Sequence, residues 1–138
     1  MYLIDTNIIS ESRKNTKANF GVQNFFKTAA KNNNDLFISA ITIGELRRGV
    51  ELIRSRNDIE QASILESWLN TIVEQYSEYI LPFTQDEAQV WGKLRAPHPE
   101  NALDKQIAAT ALVYGLTVVT RNESDFKKTG VKFLNPFS

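Results

Sequence analysis

LDKQIAATALVYGLTVVTRN, Leu103–Asn122, reads as a helix, a stop, a strand and a polar turn in direct succession. Leu103 to Tyr114 is short and alanine-rich, and Gly115 suits the left-handed position just past a helix end. Leu116-Thr117-Val118-Val119 is a β-branched run, closed by Thr120-Arg121-Asn122. A helix that feeds straight into a buried apolar strand is the repeating step of a parallel sheet.

The same alternation continues outward. Tyr2-Leu3-Ile4 ends at Asp5-Thr6-Asn7, and Leu36-Phe37-Ile38 follows the polar loop Lys31–Asp35. Tyr79-Ile80-Leu81 stops at Pro82, and Val131-Lys132-Phe133-Leu134 stops at Asn135-Pro136. Helices are expected between these strands. Val22–Ala30 is a modest one. Ile43–Arg54 carries Ile43, Leu46, Val50 and Ile53 on one stripe, and Ile59–Tyr76 carries Ile64, Leu65, Trp68, Leu69, Ile72 and Val73. Thr84-x-x-Glu87 has the form of a capping box opening a helix through Val90, Trp91 and Leu94. The expected class is α/β: a central parallel sheet of about five strands with helices on both faces. One domain, 1–138, is expected; the proline cluster Arg95–Glu100 reads as a connection inside it.

Composition narrows the chemistry. The chain has no cysteine, which removes disulfides, thiolate catalysis and cysteine-held metals. It has one histidine, His98, which removes a multi-histidine zinc site. Any metal must be held by oxygen, which favours Mg²⁺ or Mn²⁺. Sixteen Lys+Arg balance sixteen Asp+Glu, which argues against a protein that simply coats nucleic acid. No apolar run approaches a membrane span and no signal peptide is evident, so a cytoplasmic location without membrane contact is expected.

Ligands of an open parallel sheet bind beyond the carboxyl ends of its strands. Asp5 stands at such an end, and Thr120-Arg121-Asn122 at another. Glu45 falls early in the helix after the second strand. Asp104 starts the helix that feeds the fourth strand. On a helical wheel Asp104 shares its face with Ala108 and Ala111, beside Ile107. A carboxylate on a packed face needs a partner such as a cation. Three acids at one pole repel each other, and a divalent ion relieves that repulsion while binding substrate phosphate.

Each residue has a plainer reading. Asp5-Thr6-Asn7 is also a turn or helix start. Thr42-Ile43-Gly44-Glu45 is also a capping box, with Thr42 as cap and Glu45 at its third position. Asp104 is also a favourable first-turn charge, and Asp125 a turn residue. Arg47, Arg48, Arg54 and Arg56 are either a solvated face or a contact for phosphates or a partner. Trp68, Trp91 and Phe83 read as core.

These segments together resemble the PIN-domain endoribonucleases of the VapC type, toxins of bacterial type II toxin–antitoxin pairs. The resemblance runs through Met1–Glu11, Ile38–Gly49, Leu103–Ala111, Gly115–Asn122, Asp125-Phe126 and Leu134–Phe137. It implies Mg²⁺- or Mn²⁺-dependent hydrolysis of single-stranded or loop RNA such as tRNA. It implies a homodimer, neutralised in a larger assembly by a small antitoxin whose C-terminal segment covers the active site. The family's acids carry over as Asp5, Glu45 and Asp104. Asp5 and Asp104 are the expected direct metal ligands, with Glu45 binding or positioning water. Thr6 is expected to support the site through its hydroxyl. Many PIN domains carry a fourth acid directly after the Thr-Arg pair; here that residue is Asn122, with Asp125 three positions later. Arg47, Arg48 and Arg121 are the candidate contacts for RNA or partner. Two rival classes remain: a PIN-like module that holds RNA or protein without turnover, and a phosphohydrolase with an aspartyl nucleophile. Asn7 in place of a second aspartate argues against the latter.

Overall fold

A computed structural model describes residues 1–138. The elements run β1 (Tyr2–Ile4), α1 (Thr6–Ser12), a 3₁₀ turn (Asn15–Lys17), α2 (Phe20–Lys31), β2 (Leu36–Ser39), α3 (Ala40–Ser55), α4 (Ile59–Gln75), β3 (Ile80–Leu81), α5 (Gln85–Arg95), α6 (Ala102–Tyr114), β4 (Thr117–Val119), α7 (Glu123–Lys127) and β5 (Phe133–Leu134). The five strands pair in parallel in the order β3-β2-β1-β4-β5. This is the α/β architecture expected from the helix–strand alternation.

Period-two alternation sorts the strand side chains to two cores. Ile4, Ile38 and Val119 point to one face, where Ile8, Val22, Leu46, Val50 and Leu69 cover them. Leu3 and Val118 point to the other, beneath Ile107, Ala108, Ala111 and Phe126. Helices therefore lie on both faces, and no helix is long and apolar enough to cross a membrane.

The strand order places a switch point at β1. The chain leaves β1 toward β2 and β3, then returns to its other side as β4. Ile4 lies opposite Val119, so Asp5 and Thr120 emerge side by side at the carboxyl ends. This is the crevice where open α/β sheets bind ligands.

Three local expectations are corrected. The helix after β2 begins at Ala40, not at Ile43: Ser39 is its cap, and its hydroxyl accepts from the Ile41 N–H at 3.0 Å. Thr42 is therefore inside the helix, fully buried, with a hydroxyl that has no partner. Glu45 is thus past the capping position, and the capping-box reading of Thr42 and Glu45 fails. The Thr84-x-x-Glu87 box also takes another form. Thr84 stands at the cap position of α5, but its hydroxyl donates to Glu87 Oε2 at 2.7 Å and caps no backbone N–H. Finally, the Asp125 segment is not a mere turn, and of the two readings of Asp5-Thr6-Asn7 the helix start holds, with Asp5 as its cap. These segments open or lie in α1 and α7, two short helices anchored by Ile8–Ile9 and Phe126.

The cap assignment has a measurable consequence. Ser39→Ala should cost about 1 kcal/mol in chemical denaturation. Thr42→Val removes a buried, unpaired hydroxyl at nearly constant shape, so it should be neutral or stabilise by up to about 1 kcal/mol. The reverse ranking would return the cap to Thr42.

Candidate active site

Asp5 is the residue around which the pole is built. It is 3% exposed and caps α1, with Oδ1 accepting from the Thr6 N–H at 2.8 Å. Its Oδ2 accepts from the Thr120 hydroxyl at 2.8 Å and from Asn7 Nδ2 at 3.2 Å. Burial nevertheless raises its pKa above the ordinary carboxylate value, and those three hydrogen bonds only partly offset the effect. Capping and site chemistry are compatible here, because one oxygen serves the helix and the other faces β4.

Glu45 is half-buried on α3. The Thr6 hydroxyl donates to its Oε1 at 2.9 Å, a bond between residues 39 positions apart. Burial raises its pKa; the Thr6 bond lowers it in part, and the nearby Asp5 charge raises it. Only Oε1 is engaged by Thr6, which leaves Oε2 for the cleft.

Asp104 stands on α6 above Ala108 and Ala111, both fully buried, as the helical wheel indicates. Its pKa is pushed up to about 7, first by burial, then by the charges of Asp5 and Asp125, by hydrogen bonding with Asp125 and by Glu45. Four carboxylates thus feel one another at a single pole. Asp125 is steadied there by Asn101 Nδ2, which donates to its Oδ1 at 3.0 Å. Asn122 is exposed; its backbone N–H donates to Thr120 Oγ1 at 3.0 Å, and its side chain makes no cap.

The donor chemistry fits a hard divalent cation: oxygen only, negative, partly desolvated and with a proton to lose. No three carboxylate or imidazole groups are drawn to metal-ligand distances. Mg²⁺ tolerates that spacing because it keeps several waters and uses one or two direct carboxylates.

Two residues at this pole escaped the sequence reading. Asn7 donates to Asp5 and, at 3.4 Å, to Thr120, and its Oδ1 accepts from the Arg121 N–H at 3.1 Å. Thr120 is fully buried and bridges β4 to Asp5. Their shared signal was position: both follow the carboxyl ends of strands that turn out to be neighbours.

The arginines differ in their commitments. Arg47 pairs with Glu51 at 3.2 Å and with Glu66 at 2.5 Å; Arg54 pairs with the same two acids. Much of the basic charge of α3 is therefore spent against α4. Arg48 is exposed and lines a shallow groove with Ile41, Gly44, Glu45 and Leu103. Arg121 is exposed beside β4. A second groove of about 370 Å³ runs from Thr6 and Glu45 past Arg13 and Lys14 to Trp68. His98 lies 3.8 Å from Glu100.

Comparison with known proteins finds relatives over nearly the whole chain. The family model described as PIN domain matches residues 2–132. The toxin FitB of Neisseria gonorrhoeae is 33% identical over 142 residues, covering 99% of each chain. The VapC ribonuclease Y4jK of Sinorhizobium fredii is 29% identical over 143 residues, covering 99% of this chain and 98% of its own. The crystal structure of FitAcB from Neisseria gonorrhoeae superposes with a TM-score of 0.84 at 33% identity, covering 99% of this chain and 98% of that one.

Proposed function

The chain belongs to the PIN-domain family, and from that premise we propose that it is a toxin-type endoribonuclease working through a divalent metal at the Asp5–Glu45–Asp104 pole. One observation carries the reading. A partly buried carboxyl, Asp104, has its pKa pushed up to about 7, first by burial and then by Asp5, Asp125 and Glu45 beside it at the switch point of the sheet. Such mutual repulsion is costly in a resting protein and is relieved by a cation.

In this reading Asp5 and Asp104 would hold Mg²⁺ or Mn²⁺ directly. When bound, the ion supplies a lowered pKa for the attacking water and positive charge for the phosphate oxygens. Glu45, fixed through Oε1 by Thr6, offers Oε2 to orient that water. Thr120 and Asn7 keep Asp5 from rotating away. Asp125 takes the role of the fourth acid that Asn122 lacks, and Asn101 orients it. Water attacks phosphorus in line: the new P–O bond forms as the P–O3′ bond breaks, leaving a 5′-phosphate and a 3′-hydroxyl.

The partner is proposed to be a small antitoxin that covers this pole. The name of FitB as a toxin and its match over nearly the whole chain support this assignment. A homodimer, RNA loops such as those of tRNA as substrate, and a cytoplasmic site of action complete the proposal. A second reading, an RNA-holding module without turnover, draws on the open spacing of the carboxylates. Incubating the purified chain with total RNA separates the two. EDTA-sensitive cleavage supports the nuclease; binding without cleavage supports the module.

A further inference from the structure

Arg121 is an arginine at the acidic pole that, like Arg48, enters no ion pair, and it alone of the two lies against an aromatic ring. Its backbone N–H is tied to Asn7, and Asn7 is tied to Asp5, so it stands one side chain from the buried acid. Its guanidinium enters none of the ion pairs that engage Arg47 and Arg54. It is not left to wander, however. It lies over the ring of Phe137, with 4.5 Å between the guanidinium carbon and the ring centroid.

That ring is itself held from three directions. The Phe137 N–H donates to Asn135 Oδ1 at 3.1 Å, and Asn135 Nδ2 donates to Glu123 Oε2 at 3.0 Å. Ser138 makes three hydrogen bonds with Asn19, the cap of α2: its N–H and its hydroxyl donate to Asn19 Oδ1 at 3.1 and 3.4 Å, and its carbonyl accepts from Asn19 Nδ2 at 3.2 Å. Gly21 then closes the fit. A Cβ there would stand 2.0 Å from the Pro136 carbonyl oxygen and 2.9 Å from the Ser138 nitrogen. Both are backbone atoms, so any side chain at position 21 must push the segment away. Glu11, the acid whose charge Arg121 also senses, is committed to the Asn19 N–H and to Lys14. It therefore does not capture the guanidinium.

We propose that Asn135–Ser138 form a clasp that presets the Arg121 guanidinium for an RNA phosphate flanking the scissile bond, with Phe137 as the positioning residue and Gly21 as the seat of the clasp. The inference rests on the ribonuclease reading above. The physical gain is pre-organisation. A guanidinium held over a ring by cation–π attraction still has N–H donors to offer a phosphate and loses little further freedom on binding.

The test compares Phe137→Leu, Phe137→Tyr, Gly21→Ala, Arg121→Ala and the double variant Phe137→Leu/Arg121→Ala, each checked for cooperative unfolding. Cleavage of a single-stranded RNA in Mg²⁺ is followed for kcat and KM over a series of KCl concentrations. Leu preserves most of the apolar packing of Phe137 but removes the ring. It should raise KM by roughly 3- to 30-fold, with kcat falling less than about twofold. Tyr keeps the ring and should restore KM. Gly21→Ala improves helix propensity, yet it should raise KM as Phe137→Leu does. Arg121→Ala should flatten the logarithmic salt dependence by about 0.7, and the double variant should be no worse than Arg121→Ala alone. A wild-type KM in Phe137→Leu, or effects of Phe137→Leu and Arg121→Ala that multiply, overturns the clasp while leaving the nuclease reading intact. A wild-type chain that neither cleaves nor binds RNA overturns both.

Discussion

Asp5→Asn is expected to lower metal-dependent RNA cleavage by at least about 10³-fold while leaving the fold in place. The substitution removes the charge that would hold the cation, yet it keeps the geometry that the backbone needs. Oδ1 remains as acceptor for the Thr6 N–H, so the cap of α1 survives. The new amide replaces the oxygen that accepts from Thr120 and Asn7. The Thr120 hydroxyl can turn to accept from it, but Asn7 Nδ2 loses one acceptor. Against that loss stands the relief of a buried charge whose pKa burial already raises. The melting temperature without metal should therefore change little. Retained cleavage in this variant rejects Asp5 as a metal ligand; an unfolded variant rejects the account of its hydrogen bonds.

Asp104→Asn is expected to stabilise the metal-free protein at about pH 8, an unusual outcome for a substitution at a packed position. The folded value of about 7 lies above the ordinary 3.8 of an aspartate. The contribution of a group shifted in this direction is fully present below the unfolded value and is lost as pH rises through the folded one. Wild-type stability should thus fall between about pH 4 and pH 7, and the asparagine variant should escape that decline. For a fully desolvated group the difference would be about 4 kcal/mol. Asp104 remains partly open to solvent, so about 1–2 kcal/mol is expected, or roughly 3–8 °C in melting temperature. Mg²⁺ should reverse the ranking, because it stabilises only the chain that can bind it. Thermal unfolding in EDTA and in Mg²⁺ across this pH range reads both effects. A variant less stable than wild type at about pH 8 in EDTA contradicts the repulsion argument.

Asp104 also shows how far the amino-acid sequence can be read unaided. Its helical phase against Ala108 and Ala111 was enough to turn it inward, because helix geometry is local and regular. The five strands were legible for the same reason: short apolar runs bounded by Pro, Gly and Asn. The start of α1 was legible only as one reading of Asp5-Thr6-Asn7, and α7 not at all, since each buries too few apolar residues to show a period. Their stability comes from the sheet they pack on. Glu45 was ambiguous because Thr42 mimics a cap; Ser39, three residues earlier, takes that role when the strand is allowed to run directly into the helix. The links of Asp5 to Thr120 and of Glu45 to Thr6 span 115 and 39 positions, and only the strand order brings them together. The link between Asp125 and Asp104 needs the same tertiary placement, whereas Asn122 was marked as the fourth position only by the family resemblance.

The measurement that bears most directly on the account is the chemistry of the ends left on RNA. The purified chain is incubated with a labelled single-stranded RNA in Mg²⁺, and again with EDTA, and the fragments are typed at both termini. Water activated at the acidic pole predicts 5′-phosphate and 3′-hydroxyl ends, formed only when the divalent ion is present. Fragments ending in 2′,3′-cyclic phosphate would mean attack by the ribose hydroxyl, and cleavage that persists in EDTA would leave no role for a metal held by Asp5 and Asp104; either result contradicts the account.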